Sequence, residues 1–109
     1  MKYEETYLND NILDALYDMR FDETTPIRER CIPEILDGYD VLGVAQTGTG
    51  KTAAYLLPIL SQLDDGDYPK DAINCVIMSP TRELAQQIDQ AMQGSGYYLD
   101  GVSSVAVYG

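Results

Sequence analysis

Near the middle of this 109-residue chain lies the segment Ala45-Gln46-Thr47-Gly48-Thr49-Gly50-Lys51-Thr52. Its spacing matches a phosphate-binding loop, with Ala45 in place of the usual first glycine. Gly48 and Gly50 can adopt positive φ angles and let the backbone wrap closely around an anion. The N–H groups that follow, at the start of a helix, would point at phosphate oxygens. The segment therefore predicts a nucleotide-binding loop between a strand and a helix. The alternative is a glycine turn without a ligand.

Two side chains at the end of this segment carry the expected chemistry. Lys51 is placed to reach the β- and γ-phosphates of a nucleotide, and the Thr52 hydroxyl to hold Mg²⁺. We therefore predict Lys51 and Thr52 as catalytic residues and Thr52 as the metal ligand.

Three apolar runs accompany this loop. Val41, Leu42 and Val44 predict a buried strand over residues 40–45, and similar runs predict strands over 72–79 and 102–108. Their alternation with helical patterns is typical of an α/β domain whose parallel sheet is flanked by helices. Three strands are fewer than a sheet usually has. We therefore interpret the chain as part of a doubly wound domain.

The helical patterns have clear start and stop signals. The first follows a possible cap at Asn9 or Asp10. Thr25 and Pro26 predict the start of a second helix, and Gly38 its end. Two further helices are predicted over residues 51–63 and 82–93.

Composition and charge exclude several classes of function. The chain has 18 acidic and 7 basic residues, a net charge of −11, and no histidine. The negative charge opposes non-specific binding to phosphate backbones, so we expect any contact with nucleic acid to come from a few local groups or from chain outside these 109 residues. The absence of histidine excludes histidine-based catalysis. Two cysteines, no secretory signal and no transmembrane run predict a cytoplasmic protein that does not bind membranes.

A second segment follows the second predicted strand and reads Pro80-Thr81-Arg82-Glu83-Leu84-Ala85. Thr81 can cap the helix that begins here, and Glu83 suits the helix dipole. The functional alternative is that Thr81, Arg82 and the first helical amides hold phosphates of a bound strand.

Together the two segments resemble the N-terminal part of the first RecA-like domain of a DEAD-box ATP-dependent RNA helicase. The resemblance covers essentially the whole chain, and Tyr108-Gly109 stands where that family begins its glycine-pair motif. It implies a RecA-like sheet truncated to about three strands, with ATP and Mg²⁺ as cofactors. It also implies RNA as partner, with Pro80, Thr81, Arg82 and Gly109 along its backbone. Residues 1–39 would form a helical adenine-reading segment and 40–109 a partial P-loop domain.

The adenine-reading segment departs from the family pattern. The resemblance implies that Phe21 packs on adenine and that Thr25 and Arg28 also lie at the nucleotide, with Tyr3 as a further aromatic residue upstream. The family has glutamine where Arg28 stands. Glutamine both donates and accepts hydrogen bonds, whereas arginine only donates, and its fork suits guanine. Arg28 could therefore weaken adenine selection, favour guanine, or turn into solvent or towards an acid.

The chain has no Asp-Glu-Ala-Asp segment and no second RecA-like domain. Phosphoryl transfer requires a carboxylate for Mg²⁺ and arginines for the transition state. We therefore expect this fragment alone to be inactive, although its parent family hydrolyses ATP. Two alternatives are a non-catalytic nucleotide- or RNA-binding module and a fragment that self-associates through an exposed sheet edge.

Overall fold

A computed structural model describes residues 2–21, 23–45, 51–69, 71–97, 99 and 102–107. These residues contain one 3₁₀ turn and four α-helices. The elements in chain order are the 3₁₀ turn Tyr3–Glu5, α1 Asp10–Asp18, α2 Pro26–Leu36, α3 Lys51–Asp65 and α4 Arg82–Ser95. All four predicted helices are confirmed, and α3 and α4 each run two residues further than predicted.

The helices begin where the capping residues predict. The Asn9 side chain accepts a hydrogen bond from the Ile12 amide at 3.0 Å and caps α1. Thr25 precedes α2 with Pro26 in the first turn, where its missing N–H has no cost. These local signals set the starts of α1 and α2.

Two helices end in the same kind of turn. After α2, Gly38 has a φ of 90°, and the Tyr39 amide donates to the Glu34 carbonyl at 3.1 Å. After α1, Arg20 has a φ of 62°, and the Phe21 amide donates to the Leu16 carbonyl at 2.8 Å. This pattern closes a helix and fixes the direction of the next residue. It therefore determines where the backbone of Phe21 lies.

Helix α3 is the centre of the core. It contacts α1, α2 and α4, and α2 is its main partner. Gln62 on α3 also donates to the Ile35 carbonyl at the end of α2, at 3.1 Å. The buried core side chains are Tyr3, Leu8, Ile12, Leu16, Ile32, Leu56, Leu57, Leu60 and Leu99. Only the first residue of α3, Lys51, is exposed in the first turn, and it stands where the predicted loop ends.

The predicted sheet is not confirmed. None of the described residues belongs to a strand, and the described parts of the three predicted strands, 40–45, 72–79 and 102–107, form no ladder. One isolated antiparallel bridge joins Lys2 and Glu23. Apolar side chains of the expected strands are exposed, Leu42 at 93% and Met78 at 89%. A parallel strand requires a hydrogen-bonded neighbour, and the described residues supply none to these segments.

Two leucine-to-alanine substitutions test this arrangement. Leu57 is fully buried, so Leu57→Ala should lower the free energy of unfolding by about 2–5 kcal/mol. Leu42→Ala removes the same atoms from an exposed site and should change it by less than about 0.5 kcal/mol. Urea unfolding followed by circular dichroism measures both. A comparable loss for Leu42→Ala would show that this residue is buried in a sheet after all.

Candidate functional site

The predicted phosphate loop lies at the start of α3. Residues Gln46–Gly50 lie outside the described residues, whereas Ala45, Lys51 and Thr52 lie within them. Lys51 is the first residue of α3 and is exposed, and its Nζ donates a hydrogen bond to the Ala45 carbonyl. The two ends of the predicted loop therefore meet at the N-terminus of a 15-residue helix. A helix N-terminus carries partial positive charge and attracts anions.

Thr52 shares a hydrogen bond with Tyr55 one turn further along α3. Burial raises the pKa of the Tyr55 phenol above its usual value, and the hydrogen bond with Thr52 lowers it in part. Tyr55 is therefore uncharged at neutral pH. It gives the Thr52 hydroxyl a neutral partner, which leaves this end of α3 without an added negative charge.

Three side chains from separate parts of the chain meet at the predicted adenine-reading segment. Arg28 on α2 is half-buried, and its Nη1 donates to the Tyr3 hydroxyl at 2.6 Å. The guanidinium carbon lies 5.7 Å from the centre of the Phe21 ring, within the range of a cation–π contact. Tyr3 is only 2% exposed, whereas Phe21 is 42% exposed. Arg28 therefore does not turn into solvent, and Tyr3 and Phe21 are among the side chains that hold it.

Thr25 occupies the N-cap position of α2. Its side chain makes no cap hydrogen bond, and Oγ1 is buried without a partner among the described residues. A buried hydroxyl without a hydrogen-bond partner lowers the stability of the folded chain. A buried polar atom of this kind, one turn before Arg28, is compatible with a polar ligand on this side of α2.

The segment before the loop packs against α2. A Cβ atom added to Gly43 would lie 3.5 Å from both Cys31 Sγ and the Ile27 side chain. Gly43 is two residues before Ala45, and Ile27 is next to Arg28. The segment that leads into the predicted phosphate loop and the start of α2 are therefore neighbours.

The second predicted segment lies at the start of α4. The Thr81 side chain accepts a hydrogen bond from the Leu84 amide at 3.1 Å, so its role as a cap is confirmed. Pro80, Thr81 and Arg82 are exposed. Nothing in the structure tests their contact with RNA, and Gly109 lies outside the described residues.

Sequence reasoning missed two contacts, those of Tyr3 with Arg28 and of Thr52 with Tyr55. The position of Tyr3 as an upstream aromatic residue was the only signal for the first. The second follows the helical spacing of three residues. Within the part of the chain that the structure describes, no group of three acidic or cysteine side chains could hold a metal ion, and no helix could span a membrane.

Comparison with known proteins identifies the family. The model of the family "DEAD/DEAH box helicase" matches residues 25–109. The chain belongs to this family, which confirms the resemblance. It is 47% identical to the ATP-dependent RNA helicase DeaD of Klebsiella pneumoniae over 98 residues, which are 90% of this chain and 15% of that helicase. The chain thus spans less than a fifth of that relative.

Two solved structures have the same fold. The RNA helicase Prp28 from Chaetomium thermophilum bound to ADP has a TM-score of 0.89 and 41% identity, over 99% of this chain and 26% of that one. The S. cerevisiae Dbp5 structure, bound to RNA and ADP BeF3, has a TM-score of 0.77 and 33% identity, over 89% of this chain and 25% of that one. The fold is therefore that of part of a RecA-like helicase domain.

The two threonine caps provide a test of the local geometry. Thr81→Ala removes a cap hydrogen bond and should lower the free energy of unfolding by about 0.5–2 kcal/mol. Thr25→Ala removes an unpaired hydroxyl and should change it by less than about 0.5 kcal/mol or raise it. Chemical denaturation measures both. A larger loss for Thr25→Ala than for Thr81→Ala would mean that the Thr25 hydroxyl has a partner in the folded chain.

Proposed function

We propose that this chain is a nucleotide-binding and RNA-binding part of a DEAD-box ATP-dependent RNA helicase. Its cofactors are ATP and Mg²⁺, and the nucleotide phosphates bind at Ala45–Thr52. The main support for this proposal is the hydrogen bond from Lys51 Nζ to the Ala45 carbonyl. This hydrogen bond brings both ends of the motif together at the start of α3. The relatives' names and the ADP-bound Prp28 structure support it.

The residues at the start of α3 have distinct roles in this proposal. Lys51 exchanges the Ala45 carbonyl for phosphate oxygens, which are charged and form stronger hydrogen bonds with an ammonium group. The Thr52 hydroxyl oxygen would hold Mg²⁺, which would neutralise phosphate charge when bound. The first-turn amides of α3, which have no partner within the helix, complete the cradle. The base lies on the side of Phe21, Thr25 and Arg28.

RNA contacts are proposed at the start of α4. Pro80, Thr81 and Arg82 are exposed there, and Gly109 completes the set that the family resemblance implies. The N-terminus of a helix carries partial positive charge that attracts phosphate locally, even on a chain of net charge −11. The Dbp5 structure with RNA supports this proposal.

Turnover requires more than this binding surface. The sequence contains no Asp-Glu-Ala-Asp segment to hold Mg²⁺ from a second strand. We expect the 109-residue chain to bind nucleotide in the cytoplasm without hydrolysing ATP or unwinding RNA by itself. ATP hydrolysis and unwinding are proposed for the complete helicase.

A calorimetric titration with Mg·ADP tests the phosphate site. The chain should show saturable binding, and Lys51→Ala should weaken it at least tenfold, because the ammonium contact with phosphate is lost. Arg30→Ala is the matched control, since Arg30 is an exposed cation on α2 that has no place in the site. Equal weakening of Mg·ADP binding by both substitutions would mean that Lys51 acts only through the net charge of the chain. Absence of binding would contradict the proposal.

The exposed apolar segments favour a second candidate, self-association of the chain. Leu42, Met78 and Val107 lie on segments that were predicted as strands, and all three side chains are exposed. Unpaired segments of this kind can pair with another copy and bury their side chains. The net charge of −11 opposes such contact. The balance of these two effects is measurable.

Light scattering at several protein concentrations measures this balance. The mass should rise with concentration, and Met78→Glu should return it towards the monomer, because a charge would enter the contact. Tyr17→Glu is the control, since Tyr17 is an exposed side chain of α1. Monomer mass at all concentrations would rule out self-association.

A further inference from the structure

We propose that an open groove between the C-terminal ends of α2 and α3 binds an arginine or lysine side chain from a basic segment of a partner protein. The groove has a volume of about 510 Å³, and its lining includes Tyr7, Leu36, Asp37, Gln62, Asp65 and Tyr68. These residues define the tyrosine–aspartate groove. It lies at the opposite end of the 15-residue helix α3 from Lys51, about 20 Å along the helix axis. The groove is therefore separate from the proposed phosphate site and does not depend on it.

Two helices end at the tyrosine–aspartate groove. The C-terminus of a helix carries partial negative charge and attracts cations. Basic side chains in the last turn can compensate this charge, but neither α2 nor α3 has one there. Instead, Asp37 directly follows α2 and Asp65 is the last residue of α3. Each carboxylate adds negative charge where a cation is favourable, so a cation bound in the groove would stabilise both helix ends.

The contacts that hold the two helix ends are uncharged. Asn9 Nδ2 donates a hydrogen bond to Asp65 Oδ1 at 3.1 Å, which orients this carboxylate without neutralising it. Gln62 Nε2 donates to the Ile35 carbonyl at 3.1 Å and ties the end of α3 to the end of α2. The described residues that line the groove include no lysine or arginine. The positive charge that this groove favours would therefore come from a bound partner.

Two tyrosine side chains line the same groove. Tyr7 is 89% exposed and Tyr68 is 44% exposed. The Tyr68 ring lies against the backbone after α3, since a Cβ atom added to Gly66 would lie 2.3 Å from Tyr68 Cε2. Tyr7 has a φ of 64°, next to the fully buried Thr6, so the backbone directs its side chain outward. The face of a tyrosine ring attracts an ammonium or guanidinium group.

This lining fits a side chain that is apolar along its length and positively charged at its tip. An arginine or lysine can pack its methylene groups against Leu36 and the tyrosine rings and direct its charge to the carboxylates. Arginine also has paired N–H donors that match a carboxylate. The net charge of −11 attracts basic proteins and repels nucleic acids and anionic membranes. We therefore assign the groove to a basic protein segment.

Fluorescence anisotropy with a short labelled peptide of alternating arginine and glycine tests the inference on the 109-residue chain. We expect saturable binding. Tyr7→Ala and Asp37→Asn should each weaken it about two- to fivefold, the effect of one exposed cation–π contact or one exposed ion pair. Tyr17→Ala and Asp14→Asn are the matched controls, because they make the same changes at exposed sites of α1 outside the groove. Each control should change the affinity by less than about twofold, because salt screens distant charges.

Four outcomes would overturn the inference. The first is absence of saturable binding. The second is equal weakening by a groove variant and its matched control, which would mean that the peptide responds only to net charge or to general surface contact. The third is equally tight binding of a peptide with citrulline in place of arginine, because citrulline has a similar shape without the charge. The fourth is a labelled single-stranded RNA whose binding is weakened by both Tyr7→Ala and Asp37→Asn, which would assign the groove to nucleic acid.

Discussion

Burial of α3 is the constraint on which the rest of the structure depends. Leu56, Leu57 and Leu60 line one face of this helix and are buried against the other three helices. With that face fixed, the helix can present its N-terminus in only one direction. Lys51 and Thr52 are consequently placed by hydrophobic packing, and the chemistry at the start of the helix is a consequence of the core.

The N-terminal segment is fixed to the opposite end of the same helix. The Asn9 amide donates to Ser61 Oγ at 3.0 Å, and the Asn9 side chain donates to Asp64 at 2.8 Å. Asn9 thereby caps α1 and also ties it to α3. Tyr3 enters the core through the same segment, so the anchor of Arg28 depends on α3 as well. The proposed base-binding side and the proposed phosphate-binding side are thus both positioned by packing against α3.

The helices could be predicted because their signals are local. Asn9 and Thr81 form the predicted cap hydrogen bonds, and Gly38 ends α2 in the left-handed conformation that glycine favours. The strands could not be confirmed, because alternating or apolar runs indicate burial but not the identity of the neighbour. Consecutive strands in a parallel sheet need not be adjacent. Leu42 shows the result, since its side chain is apolar and yet almost fully exposed.

The residues of the candidate site likewise differ in whether local sequence or tertiary packing determines their positions. Lys51 and Thr52 were predicted from a motif whose spacing is tied to the start of a helix. The bond between Arg28 and Tyr3 joins residues 25 positions apart and depends on tertiary packing. Thr25 was predicted as a cap from residue type, but its hydroxyl forms no cap hydrogen bond. Sequence therefore predicts which residues belong to the site, and tertiary packing determines where Arg28 and Thr25 lie.

The start of α3 is the proposed phosphate-binding site, and the proposed function depends on it. Amide hydrogen exchange of Lys51 and Thr52, with and without Mg·ADP, measures this most directly, because first-turn amides have no partner within their own helix. We expect exchange at Lys51 and Thr52 to slow when the nucleotide is added, while exchange at Asn11, in the first turn of α1, stays unchanged. Unchanged exchange at the start of α3, or equal slowing at both helices, would contradict this proposal.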